Sequence, residues 1–527
     1  MWAILRGPCD ENLIRAGAPA APEPRSRGRW ILAATILASS MAFIDSTVVN
    51  VALPALQTHL KASALGVQWV VEAYSLLLSA FLLVGGSLGD HYGRRRIFLL
   101  GITIFAIASA GCGLAANITQ LIIARAAQGF GAALLVPESL AIISSSYSEK
   151  ERGRAIGTWS GVSAITSGIG PLLGGWLIEH VSWRAVFFIN LPIALIVILI
   201  SFRHIGETAE RENGRIDWLG AILAVFGLGA LVYGLIESSR AGFGHVTVIS
   251  TLCAGAAFLS AFLLIEWRSS HPMLPLELFR SRNFAGTNLL TFLLYAALSG
   301  TLFFLPLNLI QVQGYSATAA GAALLPFILI MSLLSRWSGG LVTRYGPKPP
   351  LVLGPLLTAG GYILFLFASA EAAYWKNFFP PIAMVGLGMA ITVAPLTTTV
   401  MSSVPQSRAG IASGVNNAVA RTAGLIAIAV LGIMMLNVFR GELNRQLEQS
   451  QLSPAIVSSV AAQSTRLAAI TIPHNLDPTT QQFVRRAIDH SFIGGFHAIM
   501  VIGAALALSG AVSALIFFRA PSRAAVT

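Results

Sequence analysis

Asp45, Glu72 and Arg125 are ionisable side chains set inside long apolar runs. A charge in such a run is costly and by default marks a functional site. Asp45 lies fifteen residues beyond Trp30, roughly 22 Å along a helix. In a hydrocarbon layer of about 30 Å that leaves about 8 Å to the far face. Glu72 and Arg125 each stand five residues into runs read in the opposite direction, at about the same depth. A carboxylate beside a guanidinium can stay charged there, because each lowers the other's desolvation cost. A rearrangement that parts them or admits water changes the carboxylate's hold on a proton, so proton uptake can be tied to movement. The plainer alternative is a static ion pair that joins helices.

Other residues add to this set. Gly86–Arg96 is a compact loop in which Gly86, Gly89 and Gly93 allow tight turns and Asp90 precedes Arg94, Arg95 and Arg96. It reads as a clamp between helices or as a basic topological anchor. Glu138 follows Pro137 near the end of a run; it is a candidate for a substrate cavity or for a proton, with a carboxylate reaching for interfacial water as the favoured reading. Asn416 and Arg421 are candidates for the lining of a substrate cavity, Arg421 for contact with an anionic substrate or a carbonyl. In the run 155–178, Gly157, Gly161, Gly168, Gly170, Pro171, Gly174 and Gly175 fall largely on four-residue steps, which permits close helix approach and a bend.

The elements that position these groups follow from composition. The 527 residues are 55% hydrophobic and only 11% charged, with mean hydropathy +0.73. A soluble chain carries about 25% charged residues, so the solvent here is lipid. Apolar runs predict fourteen membrane helices at 30–56, 67–89, 97–115, 120–144, 155–178, 182–202, 217–235, 246–264, 284–309, 317–342, 351–368, 378–401, 411–438 and 493–518. With the N-terminus inside, the cytoplasmic segments hold 22 of the 34 basic residues, and the short outer loops hold only Lys61, Arg184, Arg240 and Lys376. This spread, with no single basic face, excludes a nucleic-acid surface for the net charge of +12. Cys9, Cys112 and Cys253 have no metal-ligand spacing, and no metal site is expected. The nine histidines form no cluster with a nucleophile or base, so an enzyme is not expected.

An internal echo divides the chain. Aligning Gly93 with Gly346 also superposes Gly86 on Gly339, Leu88 on Leu341 and Tyr92 on Tyr345, eight helices apart. Two six-helix bundles with two extra helices between them give that spacing, and parallel six-helix repeats are a known transporter plan. The expected divisions are a cytoplasmic tail at 1–29, a bundle at 30–203, a linker with the two extra helices at 204–270, and a second bundle at 271–518. Within the last, 439–490 reads as a long periplasmic loop, and 519–527 is a cytoplasmic tail.

Five segments in order resemble the major facilitator superfamily, and within it the fourteen-helix drug:proton antiporters of the EmrB and QacA type. They are Ile44-Asp45-Ser46-Thr47 through Pro54, Gln68-Trp69-Val70-Val71-Glu72, the loop Gly86–Arg96, Arg125-Ala126-Ala127-Gln128-Gly129-Phe130-Gly131, and Gly170-Pro171-Leu172-Leu173-Gly174-Gly175 with Trp183-Arg184 and Phe188-Ile189-Asn190 after it. The resemblance implies alternating access between two halves. It gives proton coupling to Asp45 and Arg125, with Glu72 beside them. The cytoplasmic gate falls to Gly86, Asp90, Gly93, Arg94 and Arg95, and Gln128, Gly129 and Gly131 form the fourth-helix motif. Gly161, Gly170, Pro171, Gly174 and Gly175 then form the antiport helix. His91 and Thr343 depart from the family pattern, the latter replacing an acid in the second-half loop.

The expected protein is thus a proton-driven exporter of amphipathic or hydrophobic small molecules, including drugs, in the inner (plasma) membrane with both termini cytoplasmic. A dedicated exporter of one metabolite or lipid is the alternative. Its expected partners are the substrate, protons and the bilayer. It needs no cofactor beyond the proton gradient and binds no nucleic acid. It is expected as a monomer, with a periplasmic adaptor left open.

Overall fold

The computed structural model describes residues 25–147, 149–207, 217–269, 272–369, 373–404, 409–450, 452–472 and 476–518. The terminal tails at 1–24 and 519–527 lie outside that set. Within it the chain is helical and has no strand. The long helices of the first half are α1 (Arg25–His59), α2 (Ala64–Tyr92), α3 (Arg94–Leu114), α4 (Ile118–Ser146), α5 (Glu149–His180) and α6 (Asn190–His204). Next come α7 (Trp218–Ala241) and α8 (Val246–Arg268). The second half has α9 (Arg282–Leu307), α10 in two pieces (Ala317–Ala323 and Leu325–Gly339), α11 (Lys348–Leu364), α12 (Phe379–Ser402), α13 (Ala409–Glu448) and α14 (Pro478–Phe517).

Apolar runs make these helices and short polar side chains start them. Ser63, Asn117, Asp217, Ser281, Ser316 and Asp477 each accept a hydrogen bond from a backbone N–H of the first turn. Such caps satisfy donors that the helix itself leaves free. Arg184 closes the other end of α3, donating to the carbonyls of Gly113 at 2.6 Å and Ala115 at 2.9 Å.

Among the described residues, 13 helices are long and apolar enough to cross a membrane. The glycine-rich α5, whose 32 residues span about 48 Å, has several side chains outside the described residues and is not counted among the 13. The run 182–202 is broken by a short helix, Ala185–Phe188, before α6 begins at Asn190. The segment 439–490, read from the sequence as one loop, is largely helix. α13 continues through Glu448 and α14 already starts at Pro478, leaving Pro454–Ala462 and a 3-10 stretch, Ser464–Ala469, between them. Apolar residues every third or fourth position, such as Phe439, Leu443 and Leu447, are buried and carry the helix past the charges on its other face.

Two bundles emerge. α2 and α3 pack on α4, and α1 on α5 and α6; α11 packs on α12 and α14, and α9 on α13 and α14. The seams between them are α5 against α10 and α2 against α13, with α7 lying on the second and α8 packed on α7. The echo seen in the sequence has a backbone counterpart. Gly93 and Gly346 both take positive φ, +103° and +76°, and each donates its N–H to the carbonyl four residues back at 2.9 Å. Side chains rarely adopt that conformation, so glycine is required at both corners.

The ends of the helices are of two kinds. At the terminal end, the start of α1 meets the ends of α4 and α6: Tyr147 donates to the Gly28 carbonyl and Trp30 stacks on His204. At the distal end the halves close on each other. A Cβ on Gly175 would lie 2.6 Å from the Ala317 carbonyl carbon, and one on Gly321 2.6 Å from that of Pro171. Glu179 accepts from the Thr318 N–H at 3.2 Å, and hydrogen bonds from Thr318 and Ser316 hold its carboxyl below the ordinary value. Gln57 completes the closure, donating to the Arg466 carbonyl and accepting from Gln311.

Candidate functional site

α1, α3, α4 and α6 converge on a sealed polar network. Arg125 Nη1 stands 2.5 Å from Asp45 Oδ2, and the two side chains are 1% and 0% exposed. Arg125 Nη1 also donates to Gln128 Oε1 at 2.8 Å, and its Nε donates to the Val70 carbonyl at 3.1 Å. The second oxygen of Asp45 accepts from Gln128 Nε2 at 2.9 Å and from Asn190 Nδ2 at 3.3 Å. Ser109 sits behind both amides, accepting from Gln128 at 3.2 Å and Asn190 at 3.0 Å while donating to the Phe187 carbonyl at 2.9 Å. The Tyr74 ring covers the guanidinium, its centroid 4.2 Å away. Arg125 is seven residues from the distal start of α4, so the pair lies about 10 Å below that end.

The chemistry follows from what water cannot reach. Charge attraction and three donors stabilise the Asp45 carboxylate, and breaking such a pair by removing one partner costs about 3–5 kcal/mol. A proton arriving on Asp45 neutralises the carboxylate that holds Arg125 in place. It therefore frees the guanidinium to seek other acceptors. Ser109→Ala removes the hydroxyl that two buried amides share. It is expected to cost about 1–3 kcal/mol, read as a lower melting temperature of the purified protein.

Glu72 is not part of this network. It is 0% exposed and neither carboxylate oxygen has a hydrogen-bond partner among the described residues. It lies on the α2 stripe between Gln68, which donates to the Ile428 carbonyl of α13, and Leu76, which packs with Leu228 of α7 and Leu425 of α13. The fourth-helix glycines are points of close approach. A Cβ on Gly129 would meet the Tyr74 Cα at 2.9 Å, and one on Gly131 the Phe105 nitrogen at 2.6 Å. On α5, Gly170 faces Thr47 and Ile44 of α1, Gly174 faces Val48, Gly175 faces α10, and Pro171 is buried at the same junction. The surroundings of Gly161 lie outside the described residues.

The described contacts of the gate loop stay within the first half. Gly86 stands 3.7 Å from Pro137 of α4, measured from a Cβ built on it. Arg94 donates to the Ala141 carbonyl at 3.4 Å. Arg95 donates to the Phe202 carbonyl at 3.2 Å and Arg96 approaches Glu207 at 3.6 Å. The Asp90 side chain lies outside the described residues. Glu138 does not reach water as expected. It is 0% exposed, with its carboxyl in the space a Cβ on Gly89 would need, because the glycine-lined face of α2 lets α4 come too close for solvent. Asn416 donates to Asn288 at 3.2 Å and Thr291 at 2.7 Å, joining α13 to α9. Arg421 is partly exposed on α13.

Sequence reasoning assigned no role to Ser109, Asn190, Tyr74 or Glu207. Asn190 carried a signal, as an amide interrupting an apolar run, and Glu207 is an acid just past the basic end of α6. Ser109 carried none, since serine is common among the small residues of α3.

Comparison with known proteins agrees with this architecture. The sequence profile of the Major Facilitator Superfamily matches residues 35–428. The multidrug resistance protein Stp of Mycobacterium tuberculosis (strain CDC 1551 / Oshkosh) is 35% identical over 424 residues, 80% of this chain and 79% of that one. The tetracenomycin C resistance and export protein of Streptomyces glaucescens is 32% identical over 507 residues, 95% of this chain and 94% of that one. Among solved structures, a bacterial homolog of the human lysosomal transporter Spinster, inward-facing and unoccupied, aligns with a TM-score of 0.65 at 19% identity, covering 95% of this chain and 100% of its own. That similarity carries the fold. The chain is a multi-pass membrane transporter, not an enzyme, and belongs to the major facilitator superfamily.

Proposed function

We propose that the chain exports amphipathic or hydrophobic small molecules, drugs among them, by alternating access driven by protons. The observation that carries this reading is the sealed Asp45–Arg125 pair, a protonatable group buried beside the helices that close the distal end. In this reading, protonation of Asp45 from the distal side releases Arg125 and loosens α1 from α4. Cargo leaves as the proton binds, and loss of the proton toward the terminal side restores the pair. Moving one charge through 100 mV is worth about 2.3 kcal/mol, enough for useful uphill export. The names of the relatives, a multidrug resistance protein and an antibiotic resistance and export protein, support export.

The basic residues of the short terminal-end segments support a plasma-membrane protein with both termini in the cytoplasm. α5 is the fourteenth crossing, lined by other helices where its glycines face them. The gradient is the only energy source and no cofactor takes part. A monomer contains both halves of the cavity, and an adaptor would meet the distal segment between α13 and α14. The dedicated exporter remains the second reading, favoured by a relative named for one compound that spans 95% of this chain.

Growth inhibition across chemically diverse drugs, with and without the protein, tests the proposal. Protection against several classes that vanishes with a protonophore is expected. Protection against a single compound selects the dedicated exporter, and protection that survives the protonophore rejects proton drive.

A further inference from the structure

The α13 stripe that faces α2 changes character along its length. Gly432, Ala429, Ile428 and Leu425 are buried against α2 and α7. One turn nearer the terminal end, on the same stripe, Arg421 is partly exposed, and a further turn on Asn417 is exposed. The seam therefore parts toward the terminal end. Arg421 lies twelve residues into α13, about 18 Å from its start, where a polar face turned to lipid would be costly. A cavity between the halves that admits water would account for this exposure.

Arg421 has no hydrogen bond or ion pair among the described residues, and it lies within electrostatic reach of Tyr74 on α2 and Tyr295 on α9. The acids at membrane depth whose side chains are described, Asp45, Glu72 and Glu138, are at most 1% exposed, and the charge of Asp45 faces Arg125. Among the described residues at this depth, a molecule there would meet a partly exposed guanidinium and no exposed carboxylate.

We propose that Arg421 is an anion-recognising residue of the cavity, and that the preferred cargo is an amphipathic organic anion, a carboxylate, sulfonate or phenolate on an apolar or aromatic body. The guanidinium offers a planar fork of donors that matches such oxygens two at a time. Tyr295 of α9, partly exposed, supplies aromatic surface from the second half, whereas Tyr74 is buried over Arg125. This inference rests on the export reading and names its substrate class. It also fixes the electrical sense of transport. One proton inward against one monovalent anion outward moves two charges in the same direction, whereas exchange for a monovalent cation moves none. The same anionic group could be carried by a free amphipath or by the headgroup of an anionic lipid.

The test uses the full chain in phosphatidylcholine nanodiscs, with fluorescein and ethidium as anionic and cationic probes read by fluorescence polarisation. Fluorescein is expected to bind more tightly than ethidium, at least ten-fold more weakly to Arg421→Gln, and with partial recovery in Arg421→Lys. That recovery separates charge recognition from misfolding. Phosphatidylglycerol added to the discs distinguishes the sources: undiminished fluorescein binding supports a free amphipath, and Arg421-dependent competition supports the lipid headgroup. Equal fluorescein binding to wild type and Arg421→Gln, or tighter binding of ethidium, overturns the proposal. Proteoliposomes then test the export reading separately. Fluorescein export driven by a membrane potential at equal pH on both sides is expected, and binding without export would reject the export reading while keeping the anion site.

Discussion

Asp45→Asn is expected to abolish proton-driven export, lowering dye transport in energised vesicles at least 100-fold while substrate exchange without a gradient persists. The amide keeps an oxygen for Gln128 and Asn190, now 2.9 and 3.3 Å from the carboxylate. Its NH2 end then faces Arg125 Nη1, donor against donor, and the side chain can no longer take up a proton. Arg125 keeps a buried charge without its counter-ion, a loss in the range of about 3–5 kcal/mol. Exchange is the decisive control, because it needs the halves to move but no net proton flow. Wild-type rates of gradient-driven export by Asp45→Asn would remove Asp45 from the coupling mechanism. Loss of exchange as well would make the pair a structural joint.

Gly175→Val should be the strongest change outside the charged network. Its Cβ would stand 2.6 Å from the Ala317 carbonyl carbon and 2.7 Å from the Thr318 Cα, both backbone atoms, so no side-chain rotation relieves the contact. The distal closure between α5 and α10 cannot form at that distance. Export is expected to fall at least ten-fold with the protein still in the membrane. The closure can be read directly at Gln57, which is 3% exposed and bridges α1 to the segment after α13. With the native cysteines replaced, Gln57→Cys should be protected from an impermeant maleimide. Adding Gly175→Val should make it reactive from the distal face. Continued protection together with normal export would show that the close approach does not control access.

Depth was legible in the sequence, whereas direction around the helix was not. Asp45, Glu72 and Arg125 were placed at one level by counting residues, but only Asp45 and Arg125 meet. A helix turns about 100° per residue, so Glu72, two residues from both Val70 and Tyr74, points away from the face that covers Arg125 and toward the α7–α13 side. Hydropathy carries no such angle across neighbouring apolar residues. The same blindness hid Glu138, whose burial depends on Gly89 of another helix. The positive-φ corner at Gly93 was readable because glycine there is a backbone requirement, while the acid near Arg95 and Arg96, Glu207, sits more than a hundred residues away along the chain. Helix continuation through Glu448 was missed for a simpler reason. Charges outside the bilayer end an apolar run without ending a helix.

The helix α7 gives the two flanks of the transporter different characters. Its Leu228, Val232 and Ile236 pack with Leu76 of α2 and with Leu425 and Ala429 of α13, and α8 lies outside it. A greasy molecule dissolved in one leaflet can slip sideways into a two-bundle protein through either seam. Here one seam is panelled over by α7, and any sideways loading would fall to the α5–α10 flank. Cargo taken straight from the lipid would then arrive from one side only, with Pro171 and the glycines of α5 as its doorpost.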